Sequence, residues 1–347
     1  MNRERLIFLL KQFPRLHITV LGDLFLDKWM QIDRSLNEPS VETGLTAYQA
    51  VGYKSSAGAA GTVLNNLMAL KVGTCYAVSF LGMDGDGWEV LQALRSAGVD
   101  TRHVVRSRDR MTPVYMKPMF MEGGEAPKEG NRIDIKNRTV TPESLVRKTA
   151  LHLQAAAQRS DAVIILDQLT KENTGVVTEA MRDVISSLAR EKPEKLFFAD
   201  SRAFIHRFSD VTIKCNHLEA EKMALGLEAD DSFDQNRVFA AMDALMQKTG
   251  RDVFITCGAS GVACRQDAEN CLVPAAYQSG PIDVCGAGDA CTAGIVSALC
   301  AGASHKEAAF IGNLAAGVTV RKIGTTGTAS PAEILALYDE QFGGEAQ

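Results

Sequence analysis

Short apolar, β-branched runs recur along the chain with amphipathic stretches between them: HITVLGD, CYAVSFLG, DAVIILD, KLFFAD, VTIKCN and VFITCG. Helical patterns lie between and after them, at about 58–71, 86–97, 143–159, 171–191, 234–249, 288–302, 305–321 and 331–341. Strands alternating with helices predict a mainly parallel sheet covered on both faces, because each parallel strand needs a crossover to reach its neighbour. Ligands of such sheets sit beyond the carboxyl ends of the strands. Four runs end there in Asp23, Asp167, Asp200 and Asn216. Each alone is an ordinary turn residue; together they predict a polar rim.

Two stretches break the alternation. Residues 26–56 and 108–138 read as short strands with turns at Asn37-Glu38-Pro39 and Glu122-Gly123-Gly124, a small β unit inserted in two pieces. The α/β domain is then 1–25, 57–107 and 139–347. Its size allows a substantial core. With 37 basic and 42 acidic residues, a net charge of −5 and no basic block, nucleic acid is not an expected partner. The start reads as an amphipathic helix followed by a strand, without a cleavage site, and no window approaches the roughly 20 apolar residues of a membrane span. A cytoplasmic protein with no membrane contact is expected. The even spacing of Cys257, Cys264 and Cys271 suggests a metal site only weakly, since no His lies among them and strand alternation would scatter the thiols. Reduced, mostly buried cysteines are the better expectation.

The chemistry concentrates in GPIDVCGAGDACTAGIVSALCAG, residues 280–302. A helix beginning near Ala287 points free N–H groups and the positive end of its dipole at whatever lies over Gly286, Ala287 and Gly288. Asp289 stands in its first turn, a place where a carboxylate is also a common structural choice. There is no G-x-x-x-x-G-K-[ST], no G-x-G-x-x-G after the first strand, and no nucleophile elbow beside a histidine. A carboxylate beside an anion-binding helix start suits phosphoryl transfer to a hydroxyl. Asp289 would accept the alcohol proton, while the N–H groups of Ala287, Gly288 and Asp289 stabilise the moving phosphoryl group.

IDVCGAGDACTAGIVSAL resembles the C-terminal signature D-T-x-G-A-G-D of the ribokinase (PfkB-type) carbohydrate kinases, with Val284 in place of Thr. AGAAGTVLNNLMALKVG (57–73) is similar to that family's glycine-rich segment G-G-A-A-N-x-A-x-N, LGMDGDG to its G-x-D-x-x-G, and CNHLE to its N-x-x-E. FITCGASGV resembles the strand and turn beside its nucleotide. These matches run in order from about 18 to 335. Within the family, VLGDLFLDKW, TPVYMK, NRIDIKN and NLAAGVTVRKIGTTGTASPAEI resemble segments of the bacterial D-glycero-D-manno-heptose 7-phosphate kinases. Such kinases also occur fused to a nucleotidyltransferase domain; the chain ends soon after its last helix pattern, so the kinase part alone is expected.

The resemblance implies a ribokinase-like α/β fold with a β-sheet lid, using ATP and magnesium, with assistance from a monovalent cation left open. It implies Asp289 as base and Gly286, Ala287 and Gly288 as the anion hole. Asn216 and Glu219 would organise magnesium, largely through water. Gly258, Gly261, Asp283, Asn313, Gly324 and Thr325 would frame the nucleotide. Asp27, Gly58 and Asn65 would face the acceptor, with Lys117 and Arg132 reaching from the lid toward an acceptor that already carries phosphate. A homodimer through lid strands is a further expectation, because an exposed sheet edge invites a partner.

Departures from the family pattern fall mainly on the acceptor side. In the register used above, Ala57 replaces Gly and Gly61 replaces Asn; Leu36 and Asn37 replace Ser and Pro of R-x-S-P-E-x-P-V; Ser201 replaces the proline of D-P-[KR]; Gln168 stands where heptose kinases have Tyr. The reading is therefore firmer for a sugar or sugar-phosphate kinase than for a heptose kinase. Another sugar or nucleoside kinase, or a non-catalytic binder of nucleotide or sugar, are the alternatives; the last is disfavoured by retention of Asp289, since binding alone requires no base.

Overall fold

The computed structural model describes residues 1–121, 127–228 and 232–343, so the turn expected at Glu122-Gly123-Gly124 lies outside the described residues. Helix α1 (Arg3–Leu10) precedes β1 (His17–Gly22), β2 (Leu24–Asp33), β3 (Glu38–Pro39), β4 (Thr46–Ala47) and β5 (Ala50–Ala59). Next come α2 (Ala60–Ala69), β6 (Thr74–Gly82), α3 (Gly85–Ser96), β7 (Asp100–Ser107), β8 (Val114–Met121), β9 (Lys128–Glu129) and β10 (Ile133–Ile135). Then follow α4 (Glu143–Gln158), β11 (Ala162–Asp167), α5 (Glu179–Glu191), β12 (Leu196–Ser201), β13 (Thr212–Asn216), α6 (His217–Ala220) and α7 (Gln235–Thr249). The chain closes with β14 (Val253–Thr256), β15 (Val262–Gln266), β16 (Glu269–Val273), α8 (Ala287–Cys300), α9 (His305–Thr319) and α10 (Pro331–Phe342).

The main sheet has the order β16-β15-β14-β13-β12-β11-β1-β6-β7. From β14 to β7 all neighbours are parallel, while β15 and β16 fold back antiparallel at one edge. Every residue of β11 is buried. Its alternation sends Val163 and Ile165 into the layer shared with Leu153 of α4, Ile185 of α5 and Leu245 of α7. Ile164 and Leu166 go to the layer shared with Leu64 of α2, Ile295 of α8 and Leu314 of α9. A strand apolar on both faces has to sit between two helical layers, which is why the continuous runs became the centre of the sheet.

Several elements depart from the sequence expectation: the short strands β15 and β16 at one edge of the sheet were not among the six runs, and two further departures have a clear local cause. The pattern at 171–191 yields a helix only from Glu179, capped by Thr178, whose Oγ1 accepts from Met181 N at 3.2 Å. Asn173 upstream takes φ 59, and Asp23 Oδ1 accepts from Val176 N at 2.8 Å, so residues before the cap are held as a loop. Strand β7 was not among the six runs, because as an edge strand it carries Arg102 and Arg106 among its apolar residues.

The inserted stretches build a second sheet in the order β10-β8-β2-β5, with β9 paired to β8; β3 and β4 form a separate two-stranded ribbon. β2 runs antiparallel to β5 and parallel to β8. Only Asp23 separates β1 from β2, so this sheet grows out of the carboxyl edge of the main one, where the rim lies. Cys264 and Cys271 face each other across β15 and β16 with Sγ atoms 3.5 Å apart, away from any third ligand; among the described residues no group of three or more His, Cys, Asp or Glu could hold a metal by itself. No described helix is long and apolar enough to cross a membrane.

Candidate active site

Gly286 caps α8 at φ 81, and a Cβ there would come within 2.9 Å of Thr326 Cγ2, so both backbone angle and space demand glycine. Of the three donors expected at this helix start, Ala287 N–H is already committed to Val284 O at 3.2 Å. The N–H groups of Gly288 and Asp289 have no protein acceptor among the described residues, so they are the donors free to meet an anion.

A buried cation lies beneath them. Lys214 of β13 is almost wholly buried, and its Nζ would be 3.8 Å from a Cβ placed on Gly288. Asp200, from β12, pairs with it at 2.6 Å. The Thr292 hydroxyl lies 3.2 Å from the same Asp200 oxygen and 3.0 Å from Gly288 O, so its one proton is shared between them. Burial opposes the charge on Lys214, but Asp200 outweighs it and the ammonium is held above its ordinary range.

Asp289 keeps some exposed surface, as a group meeting a substrate must, yet protein closes around its other sides. Burial, aided by the like charge of Asp200 and opposed by Lys214 and Arg202, pushes its carboxyl up to about 7. That is the range in which a general base works at neutral pH. Asp27 of β2 adds a smaller repulsion. Burial likewise raises Asp27, against the pull of Lys117 and Arg132. The Asp27 side chain leans over Gly58, where a Cβ would stand 2.4 Å from Asp27 Oδ2.

Asn216 and Glu219 form a capping box for α6. Asn216 Oδ1 accepts from Glu219 N at 2.8 Å and Glu219 Oε2 accepts from Asn216 N at 2.9 Å. One oxygen of Glu219 is thereby left without a protein donor among the described residues. Burial raises this carboxyl, and Asp200 raises it further, while Lys214 and Arg202 pull it down. Glu219, Asp200, Lys214, Arg202 and Asp289 thus belong to one electrostatic cluster.

The residues expected around the nucleotide mostly bind backbone. Asn313 Nδ2 donates to Val273 O and Pro274 O, both at 2.9 Å, and borders a cavity of about 540 Å³ with Tyr277, Phe310 and Phe342. Asp283 accepts from Cys285 N and Gly324 N, each at 3.0 Å, stapling two loops. Gly258 (φ 55) and Gly261 (φ 109) shape the turn between β14 and β15. Thr325 lies in a different space, a cleft of about 370 Å³ between the second sheet and residues 324–326.

On the acceptor side the structure shifts the register read from sequence. Gly61 is buried against the sheet, and a Cβ on it would meet Ala57 Cβ at 2.5 Å, so no residue with a side chain fits there. The residue in a glycine-favouring conformation is Ala59, at φ 53 and ψ −116, and Thr62 is the one near α8, 3.7 Å from a Cβ placed on Gly286. The glycine-rich pattern therefore sits one residue further along, with Ala59 in place of Gly and Thr62 in place of Asn. Asn65 is half-buried on α2, and Asn66 turns inward with Nδ2 on Thr62 O at 2.9 Å. Arg132 does not offer an open fork: its Nε and Nη2 bind Asp134 at 2.6 and 3.0 Å, and its guanidinium stacks on Tyr115 at 4.2 Å.

Of the four rim residues, Asp200 and Asn216 are in the site. Asp23 and Asp167 lie buried beside it; burial raises Asp23 to about 6, and burial together with Asp23 raises Asp167 to about 7. Sequence reasoning missed Lys214, Thr292 and the reach of Arg202. A usable signal existed for Lys214, since a lysine inside an apolar strand run must find a buried partner.

A parallel α/β sheet carrying a second sheet on its carboxyl edge, with a basic carboxylate beside an open helix start, defines the ribokinase-like class. Solved structures agree on the fold. Phosphofructokinase-2 from Escherichia coli superposes with a TM-score of 0.71 at 16% identity, covering 94% of this chain and 99% of that one. Arabidopsis thaliana ribokinase gives 0.67 at 17%, covering 93% and 98%. The chain belongs to the pfkB family of carbohydrate kinases, whose pattern matches residues 24–333. Among its relatives, the bifunctional protein HldE of Trichlorobacter lovleyi is 28% identical over 346 residues, 97% of this chain and 65% of its own length. That of Geobacter sulfurreducens is 26% identical over 345 residues, 99% of this chain and 67% of its own. The chain thus spans about two thirds of the length of these relatives.

Proposed function

We propose that this chain transfers the γ-phosphoryl group of ATP to a hydroxyl of a sugar or sugar phosphate, with a heptose 7-phosphate as the leading candidate from the sequence resemblance. The observation that carries the reading is Asp289, a carboxyl raised to about 7, on the same helix start whose Gly288 and Asp289 N–H groups are open above the Lys214 ammonium. Asp289 takes the acceptor proton as the oxygen attacks, and the two N–H groups with Lys214 hold the charge of the phosphoryl group in flight. Asp27, close to Gly58, orients the acceptor hydroxyls. The cavity beside Asn313 is offered for the nucleotide base, with the Gly258–Gly261 turn packed against its Pro274 and Ala275 wall, while Gly324 and Thr325 face the neighbouring 370 Å³ cleft and would meet the phosphate end of the nucleotide.

The site fits magnesium carried mainly by phosphate oxygens and water, since Asn216 and Glu219 have one oxygen each tied up in the capping box. When bound, the ion neutralises phosphate charge. Glu219→Gln preserves an oxygen for the cap but removes the negative charge. We expect it to raise the magnesium concentration for half-maximal rate about tenfold with little change in Tm; an unchanged magnesium dependence would assign Glu219 to the cap alone.

An ATP-consumption screen over sugars, their terminal phosphates and nucleosides tests the whole reading. A phosphorylated sugar is expected to exceed its unphosphorylated parent in kcat/KM, and no turnover with any acceptor would refute it. The protein is read as cytoplasmic. It is also read as a dimer through the second sheet, where β5 is an edge strand exposing Val51 and Tyr53; sedimentation as a single chain at micromolar concentration would contradict the dimer.

A further inference from the structure

The cleft face of the second sheet carries charge that the site described so far leaves unused. Register places Ser56 on β5, Asp27 on β2 and Tyr115 on β8 side by side, and two residues further along places Lys54, Trp29 and Lys117 side by side. Residues two apart on a strand share a face. Both rows therefore look the same way, and Trp29, Lys54 and Ser56 line the 370 Å³ cleft closed on its other side by residues 324–326. That cleft abuts the helix start, because Thr326 is the residue against Gly286. Lys117 Nζ lies over the Trp29 ring at 5.3 Å.

The charges in this sheet divide into two kinds. Arg132 and Lys136 share Asp134, at 2.6 and 2.9 Å, and Lys28 on the opposite face pairs with Glu89 at 3.0 Å. Lys54 and Lys117, flanking one indole, make no ion pair among the described residues. Lys54 lines the cleft and Lys117 flanks the same indole; Asp27 draws on Lys117 without pairing with it, and two like charges so placed favour an anion between them. The indole supplies a flat apolar wall for the carbon chain of a sugar. From the Asp27 row to the Lys54 row is roughly 7 Å, two residues at about 3.4 Å rise.

We propose that Lys54, acting with Lys117 across Trp29, binds an anionic group at the end of the acceptor remote from the reacting hydroxyl, and so selects sugars phosphorylated at the distal end of the carbon chain. The inference rests on the kinase reading for the position of the reacting hydroxyl, but its test does not need turnover. It also moves the second cation of the clamp from Arg132 to Lys54, since Arg132 is spoken for by Asp134.

The chain has two tryptophans, so Trp88→Phe leaves Trp29 as the single indole reporter; Trp88 is exposed on α3, away from the cleft. In that background, Trp29 emission is titrated with ribose 5-phosphate, fructose 6-phosphate and sedoheptulose 7-phosphate, and with ribose, fructose and sedoheptulose, at fixed salt. At least one phosphate is expected to bind tenfold or more tightly than its parent. Lys54→Met should erase most of that ratio, Lys54→Arg should retain it, and Arg132→Met should leave it within about threefold. Lys54 is an exposed edge-strand residue, so its substitutions should fold, and Tm checks this. Equal affinity for phosphate and parent, a preference that survives Lys54→Met, or no binding of any probe overturns the proposal. Turnover is measured separately: an enzyme that phosphorylates sugars but ignores Lys54 sinks this inference alone, whereas Lys54-dependent binding with no turnover sinks the kinase reading alone.

Discussion

Asp289→Asn is expected to lower turnover by roughly 10² or more, the scale of a lost general base, while ATP affinity stays within about threefold. The substitution keeps the size and polarity of the side chain and leaves the N–H groups of Gly288 and residue 289 in place. In the parent protein, kcat/KM should rise with pH up to about 7, where burial and Asp200 place the carboxyl, and level off above. The Asn variant should lose that rising limb. A second signature runs through stability. The carboxyl titrates at about 7 in the folded chain and near 3.9 when unfolded, so the folded state binds the proton more tightly. Ionising it therefore weakens the fold progressively between about pH 4 and 7. Asp289→Asn should raise Tm on the order of 2–4 °C at pH 8, with the gain vanishing below about pH 4. Near-normal turnover in the variant would remove Asp289 as the base.

Lys214→Met should have the largest effect on the fold. It strands Asp200, a mostly buried carboxylate whose partner at 2.6 Å has gone, and breaking one side of such a pair costs about 3–5 kcal/mol. It also removes the cation from beneath the Gly288 and Asp289 N–H groups, and turnover should fall by roughly 10². Adding Asp200→Asn separates the two effects. The double variant has no stranded charge, so most of the stability should return, and Thr292 still has an oxygen to approach. Its rate should not return if the ammonium itself steadies the phosphoryl group. Recovery of both would make the pair a structural strut. Recovery of neither would mean that Thr292 and Gly288 move when the pair is lost, so circular dichroism and nucleotide affinity accompany the rates.

The course of these elements was legible in sequence wherever one period dominated over a long stretch. The continuous runs in β1, β11 and β13 could only be strands buried on both sides, and GAGDACTAGIV could only place small residues and a carboxylate at a helix start. That was enough to single out Asp289, Gly286 and Gly288, whereas the capping box that joins Asn216 and Glu219, expected there as organisers of magnesium, came only from the structure. Where side-chain direction decided the outcome, sequence fell short by single residues. Gly61 and Thr62 differ by one position, yet one packs on Ala57 and the other lies near Gly286, because α2 turns about 100° per residue. Ala287 was counted as a donor until the turn at Val284 consumed its N–H.

The sequence by itself determined the parallel sheet, the two-piece insertion and the helix start that carries Asp289, the proposed base, since each follows from local periodicity or from residues adjacent in the chain. Only the tertiary structure decided which charges are open and which are spent. Arg132 and Lys54 look alike as exposed cations in an inserted segment, but Arg132 meets Asp134 while Lys54 is carried by antiparallel pairing to the side of Trp29, 25 residues away in the chain. Lys214 meets Asp200 only because β12 and β13 are neighbours in the sheet. The physical reason is that electrostatic interaction falls off with distance through space, and chain separation says little about that distance once strands have paired.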